Sequence, residues 1–158
     1  MATLEHLCAI GELEKEEADL DADELPLRLL YFAPGARARI VGKLRPLARC
    51  RGRNTAPLEQ FEQIIYEYVV GKSLAYSVDR RKLDPITMDV WEFKTPDVRI
   101  FGWVPRKASF IVLDGEPKAN LTKFKMYAPY VQAVVAFRGQ LNLDAPKALG
   151  GVNYNDLF

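Results

Sequence analysis

Residues Asp89 to Asn120 read DVWEFKTPDVRIFGWVPRKASFIVLDGEPKAN. Val90 to Lys94 alternates apolar with polar side chains, Val98 to Val104 is rich in β-branched and aromatic residues, and Ser109 to Leu113 repeats that composition. Each segment therefore predicts a strand. Thr95-Pro96-Asp97 and Pro105-Arg106-Lys107 separate them with turn residues, and a proline, lacking an N–H, marks where pairing stops. The stretch is expected to form an antiparallel meander.

Upstream, Leu27 to Phe32 reads as a first strand ended by Pro34-Gly35. Ala36 to Leu47 supplies a helix with Arg37, Arg39, Lys43 and Arg45 on its polar side, bent or stopped at Pro46. Arg51-Gly52-Arg53-Asn54 is a loop. Thr55 can cap a second helix with Pro57 in its first turn; Leu58, Phe61, Ile64, Ile65, Tyr68 and Val69 form one apolar stripe, and Gly71 closes it. Downstream, Leu121 to Gln140 predicts a C-terminal helix burying Val131, Val134, Val135 and Phe137. The fold expected is α+β: a small antiparallel sheet, in β-α-α-β-β-β-α order, packed on helices.

Charge is distributed unevenly. Residues 1–25 hold nine acids against the single Lys15, a net of −8, and the remainder carries 21 basic and 12 acidic residues, a net of +9. Leu4, Leu7 and Ile10, followed by Leu13 and Leu20, lie at helical spacing, so Thr3 to Leu20 predicts an acidic helix interrupted at Gly11. The chain thus divides into an acidic N-terminal extension (1–25), a basic domain (26–141) and a loosely held tail (142–158). The polarity raises the expectation that the extension lies across part of the basic surface.

At 158 residues the chain can bury one adequate core. It contains no apolar run of membrane-spanning length and begins without the basic start of a secretory signal, so a cytoplasmic protein with no membrane partner is expected. Cys8 and Cys50 are far apart and read as two reduced thiols. His6 is the only histidine, so a histidine-based triad is excluded unless the extension folds back, and no zinc site is expected. Glycine-rich nucleotide loops are absent as well, and no cofactor is expected. Acid–base chemistry would fall to Lys, Arg, Tyr, Asp or Glu.

Arg80-Arg81-Lys82-Leu83, Trp91-Glu92-Phe93-Lys94, Arg99-Ile100-Phe101 and Leu113-Asp114-Gly115-Glu116-Pro117-Lys118, in this element order, resemble the RelE/ParE toxin superfamily and its HigB-like, phage-related branch. The resemblance covers roughly residues 27 to 137. It implies a RelE-like fold and a metal-independent, ribosome-dependent mRNA endonuclease of a toxin–antitoxin system, with ribosome-bound message and rRNA as targets and an antitoxin protein as partner. It carries the strand-opening arginine onto Arg99 as phosphate clamp, places Lys94 where the family often has arginine, and places Lys118 at the first lysine of the terminal segment. Tyr127 and Tyr130 would stand near the site. Arg80, Arg81, Lys82, Arg106 and Lys107 would contact RNA. Cleavage by the ribose 2′-OH needs a proton acceptor, charge stabilisation on the phosphorane and a proton for the leaving 5′ oxygen. Arginine suits the second need through its planar fork, and lysine the first where clustered cations lower its pKa.

Each residue also has a purely structural explanation. Arg99 can pair across strands with Glu92, and Lys94 and Lys107 can be strand-edge charges. Trp91, Phe93, Phe101 and Trp103 can be core. The chain also departs from the family: Lys118-Ala119-Asn120 stands where Lys-Lys-Thr is expected, and the histidine some relatives use near the C-terminus has no counterpart. A second reading is a non-catalytic binding module of the same fold, either gyrase-targeting or a phage-derived regulatory protein.

Overall fold

A computed structural model describes residues 1–151 and 157–158 of the chain. In order, the elements are α1 (Leu4–Ala9), β1 (Glu14–Lys15), β2 (Leu29–Phe32), α2 (Ala36–Leu44), α3 (Pro57–Val69), β3 (Arg80–Lys82), a 3-10 turn (Ile86–Met88), β4 (Trp91–Lys94), β5 (Val98–Trp103), β6 (Ser109–Pro117), α4 (Lys118–Phe124) and α5 (Tyr127–Gln140). The fold is α+β, and the meander β4-β5-β6 is antiparallel.

The sheet, however, is mixed rather than antiparallel. Its six strands run β1-β2-β6-β5-β4-β3, and β2 pairs with β6 in parallel, Leu29 opposite Ser109 through Phe32 opposite Val112. A parallel partner needs a long crossover, and here α2, α3 and the following strands supply it. Between Phe101 and Gly102 the partner on β6 jumps from Asp114 to Val112, so Leu113 is the extra residue of a bulge. Gly102 is required there: a Cβ would lie 1.9 Å from the Ile111 carbonyl oxygen.

Both faces are covered. On one, α2 and α3 pack Ile40, Phe61, Ile65 and Tyr68 onto Trp91, Phe93, Val98, Ile100, Phe110 and Val112. Phe93 stacks on Phe110 at 4.3 Å between ring centres, and Tyr68 tilts over Phe93 at 5.3 Å. The opposite face buries Phe101, Trp103 and Ile111 under α5 (Val131, Val134) and α1 (Leu4, Leu7). Both tryptophans are fully buried, so they belong to the core and not to a base-stacking platform. At about 25 cal/mol per Å², these aromatic side chains dominate the stabilisation by burial.

Several boundaries move, each for a local reason. The N-terminal helix stops at Ala9 instead of running to Leu20, because Gly11 adopts a φ of +79° and the chain turns back. Glu14 and Lys15 then pair with Phe32 and Tyr31, and Leu13 is buried, so residues 1–25 contribute a strand and core side chains to the sheet. The cap of α3 is Ala56 instead of Thr55, with Glu59 accepting the Ala56 amide at 2.8 Å. The single C-terminal helix splits in two at Lys125, whose φ is +51°, and Pro129 lies in the first turn of α5. Arg80-Arg81-Lys82 is an edge strand and not a loop.

The tail is held. Asn142 and Asp144 bond to the backbone of Ala2, Leu143 and Leu157 are buried, and the Trp103 indole donates to the Lys147 carbonyl at 2.8 Å. The part of the expected loose tail at 152–156 lies outside the described residues. Because Leu13 is 1% exposed, Leu13→Ala should lower the unfolding free energy by about 2 to 5 kcal/mol. Equilibrium urea denaturation checks this, and an unchanged midpoint would detach the N-terminal segment from the cooperative core.

Candidate functional site

Alternation along the meander sends Trp91 and Phe93 to the α3 face and Glu92 and Lys94 to the α5 face. Lys94 lies directly opposite Arg99, and Arg81 lies directly opposite Glu92. Three neighbouring strands therefore bring Arg81 and Arg99 onto one carboxylate, with Lys94 next to Arg99. The Arg81 Nη2 is 2.8 Å from Glu92 Oε1, and the Arg99 Nε is 3.9 Å from Glu92 Oε2. Glu92 is fully buried; burial raises its pKa, and Arg81 and Arg99 pull it back in part. Neither the Arg81 Nε nor the Arg99 Nε donates a hydrogen bond among the described residues. The cross-strand pairing of Arg99 with Glu92 is thus present.

Lys94 is the titratable cation of the group. Burial lowers its pKa first, and the charges of Arg99, Arg81 and Lys118 lower it further, while its Nζ donates to the Ser77 carbonyl at 2.8 Å. Tyr127 reaches the same cluster from α5: the Arg81 guanidinium lies 5.6 Å from its ring centre, and burial and the Glu92 charge raise its pKa. Arg99 is held in place by the turn it follows, its Nη1 donating to the carbonyls of Thr95 and Val98. It is 6% exposed.

Tyr130 is turned toward a second cluster. Its ring stacks on Phe101 at 4.5 Å and its hydroxyl donates to Glu116 Oε2 at 2.6 Å. The same carboxylate oxygen accepts from Lys43 Nζ at 3.0 Å, and Lys43 also reaches Asp114 at 3.1 Å and the Gly115 carbonyl at 3.1 Å. Burial alone would raise the Glu116 pKa, but the hydrogen bonds from Tyr130, Asn120 and Lys43 outweigh it and set the carboxyl below its ordinary value. Lys118 is exposed at the start of α4.

Most of the expected RNA contacts are used inside the protein. Arg80 is 2% exposed, donates to the Leu74 carbonyl and lies 4.3 Å from the Phe158 ring centre. Lys82 is buried in a 2.6 Å pair with Asp89. Arg106 fastens the tail through the carbonyls of Asp144 and Pro146. These three are withdrawn from any RNA face. Arg81 is half-exposed and Lys107 exposed. The sequence placed Lys43 only among the polar-face cations of α2, and its role at Asp114 and Glu116 depends on contacts 71 and 73 residues away that no local signal marks.

Among the described residues, no three His, Cys, Asp or Glu side chains lie close enough to hold a metal ion, and no helix is long and apolar enough to cross a membrane. The acidic segment is tied to the opposite end of α2, with Glu14 accepting from the Gly35 amide at 3.0 Å and Glu16 pairing with Arg37 at 2.7 Å.

The two buried carboxylates have opposite pH signatures. Stability from Glu116, whose folded pKa is depressed, is present above the ordinary carboxylate value of about 4.3 and is lost as pH falls through the folded value. Stability linked to Glu92, whose folded pKa is raised, is full below that ordinary value and is lost as pH rises through the folded value. Glu116→Gln should therefore flatten the acid limb of the stability curve while leaving the Glu92-linked limb intact. Urea midpoints between about pH 3 and 7 check this; an unaltered acid limb would remove Glu116 as its source. Comparison with protein-family models, with curated proteins and with solved structures returned no match for this chain.

Proposed function

We propose that the chain is a metal-independent endoribonuclease of the RelE-like, toxin type, acting on ribosome-bound message and restrained by a partner protein. What supports this reading is one observation: Arg81 and Arg99 converge on a single carboxylate, Glu92, leaving the cluster cationic, with Lys94 opposite Arg99 and Tyr127 beside it. An excess of fixed positive charge favours a phosphodiester and the extra negative charge of a phosphorane.

The roles follow from position in the cluster, and the directions of the pKa shifts agree with them. Lys94, held below the ordinary lysine value, takes the proton of the ribose 2′-OH as the 2′ oxygen attacks phosphorus. The bond to the 5′ oxygen breaks, a 2′,3′-cyclic phosphate forms, and Tyr127, kept protonated by its raised pKa, donates to the leaving oxygen. Arg81 and Arg99 stabilise the equatorial oxygens.

A specific observation favours the non-catalytic reading as the second one. The Arg99 Nη1 is already committed to two carbonyls and the residue is almost fully buried, so its fork is not open to a ligand without a shift of the Thr95–Val98 turn. Induced expression with growth, translation and mRNA cleavage measured together separates the two. Under the first reading, Lys94→Ala should reduce cleavage about 10²- to 10⁴-fold, and Arg99→Ala should abolish growth arrest. Arg99→Lys should restore only part, since an ammonium lacks the bidentate fork. Wild-type protein that neither arrests growth nor cuts message would leave the binding module.

A further inference from the structure

A second cationic feature stands apart from the Glu92 cluster. A groove of about 570 Å³ runs between the α2–α3 connection and α4, lined by apolar side chains including Leu47, Pro57 and Ala119, by the ion pairs Lys43–Glu116 and Arg53–Asp97, and by Lys118. From residue 43 to 56 the chain carries five cations and no acid, and from 117 to 126 three cations and no acid. Two of the eight have partners: Lys43 is held by Asp114 and Glu116, and Arg53 lies 3.4 Å from Asp97. The other six, Arg45, Arg49, Arg51, Lys118, Lys123 and Lys125, are exposed and have no ion pair among the described residues.

The acidic segment does not neutralise them. Its Glu14, Glu16 and Glu24 are bound to Gly35, Arg37 and Tyr66, at the far end of α2 and on α3. That helix separates its N-terminus from Arg45 by about 14 Å at 1.5 Å per residue, beyond the roughly 8 Å over which exposed charges act at physiological ionic strength. The groove therefore keeps its positive field.

We infer that this groove binds the backbone of single-stranded nucleic acid, an assignment that rests on the RNA-directed reading above and extends it to a binding track. Of the unpaired cations, Lys118 lines the groove itself and the other five stand on the same two chain segments around it; such a flanking arrangement suits a phosphate chain, and the apolar lining accepts sugars and bases. Beyond the groove's own lining, Phe124 is 60% exposed at the end of α4, with the Lys123 ammonium 5.2 Å from its ring centre. An exposed ring among cations offers a stacking surface that an acidic peptide would not use. Arg53 and Pro96 line both this groove and an adjoining pocket of about 540 Å³ that contains Lys94. A strand lying in the groove thus passes over the Thr95–Asp97 turn and enters the pocket that Lys94 lines.

The test is fluorescence anisotropy of the full chain with a labelled single-stranded oligoribonucleotide of mixed sequence, its duplex, and a poly-glutamate peptide, across a salt series. Wild type should prefer the single strand. Arg49→Ala/Arg51→Ala should weaken that binding and reduce the log–log salt slope by about 0.7 for each phosphate contact removed. Phe124→Ala should weaken single-strand binding and leave the duplex unaffected, with the same melting temperature as wild type. Binding that is insensitive to all three substitutions yet lost in Arg81→Ala would overturn the groove and leave the RNA-directed reading standing. Preference for the poly-glutamate peptide would overturn it in favour of a protein partner. Loss of binding in Arg49→Ala/Arg51→Ala from a wild type that binds RNA without cutting it would uphold the groove and remove the nuclease.

Discussion

Pairing of β6 with two strands at once is the constraint on which the other elements depend. Its first residues, Ser109 to Val112, carry β2 in parallel on one side while Ile111 to Pro117 carry β5 on the other. A strand flanked this way must be apolar on both faces, and Phe110, Ile111 and Val112 are each fully buried. The parallel partner forces a crossover, which places α2 and α3 over one face. The other face is then open, and α1 and α5 close it with Leu4, Leu7, Val131 and Val134. The bulge at Leu113 lets the strand satisfy both obligations, since Leu113 packs against both cores while the β5 register shifts by one.

Beyond Val112 the β2 side of β6 has no strand, and the open edge is closed by cations. Arg39 donates to the Leu113 carbonyl at 3.0 Å, and Lys43 to the Gly115 carbonyl at 3.1 Å. These are acceptors that a further strand would otherwise have taken. Lys43 therefore serves as an edge cap and as the counter-ion of Glu116 and Asp114, and its pKa is raised accordingly: burial opposes the charged form, and the bonds to Glu116, Tyr130 and Asp114 overcome it. One residue of α2 thereby joins the sheet edge to α5 through the Tyr130 hydroxyl.

The meander was legible because its β-branched and aromatic runs are interrupted by Pro96 and Pro105, and the α3 stripe because Phe61, Ile65 and Tyr68 recur at helical spacing. Direction of pairing was not legible: nothing local in Leu29–Phe32 distinguishes a parallel from an antiparallel neighbour. Nor was β3, since Arg80-Arg81-Lys82 contains no apolar residue and owes its strand to Trp91–Phe93 opposite. Arg80 reads as a surface cation, yet the rings of Tyr76, Trp91 and Phe158 bury it through contacts distant in sequence. In the candidate site, the Arg99–Glu92 pair followed from strand alternation. The arrival of Arg81 did not, because it requires knowing that β3 exists.

The cations of this chain fall into two populations with different work. Arg39, Lys43, Arg80, Lys82 and Arg106 spend their donors on carbonyls or buried acids, where removal would leave an unpaired partner and the cost would appear as lost stability. Arg45, Arg49, Arg51, Lys118, Lys123 and Lys125 are exposed and have no ion pair among the described residues, so their side chains remain in water with their charge available. Arg81 and Arg99 stand between the populations: each is ion-paired to Glu92, yet one carboxylate cannot neutralise two guanidinium groups. That residual charge is carried in a partly buried place, where the local dielectric is lower and a fixed charge acts more strongly on an incoming anion than the same charge at the surface. The exposed population would gather a polyanion over a long range, and the buried one would act on whichever phosphate comes to rest beside the Thr95–Val98 turn.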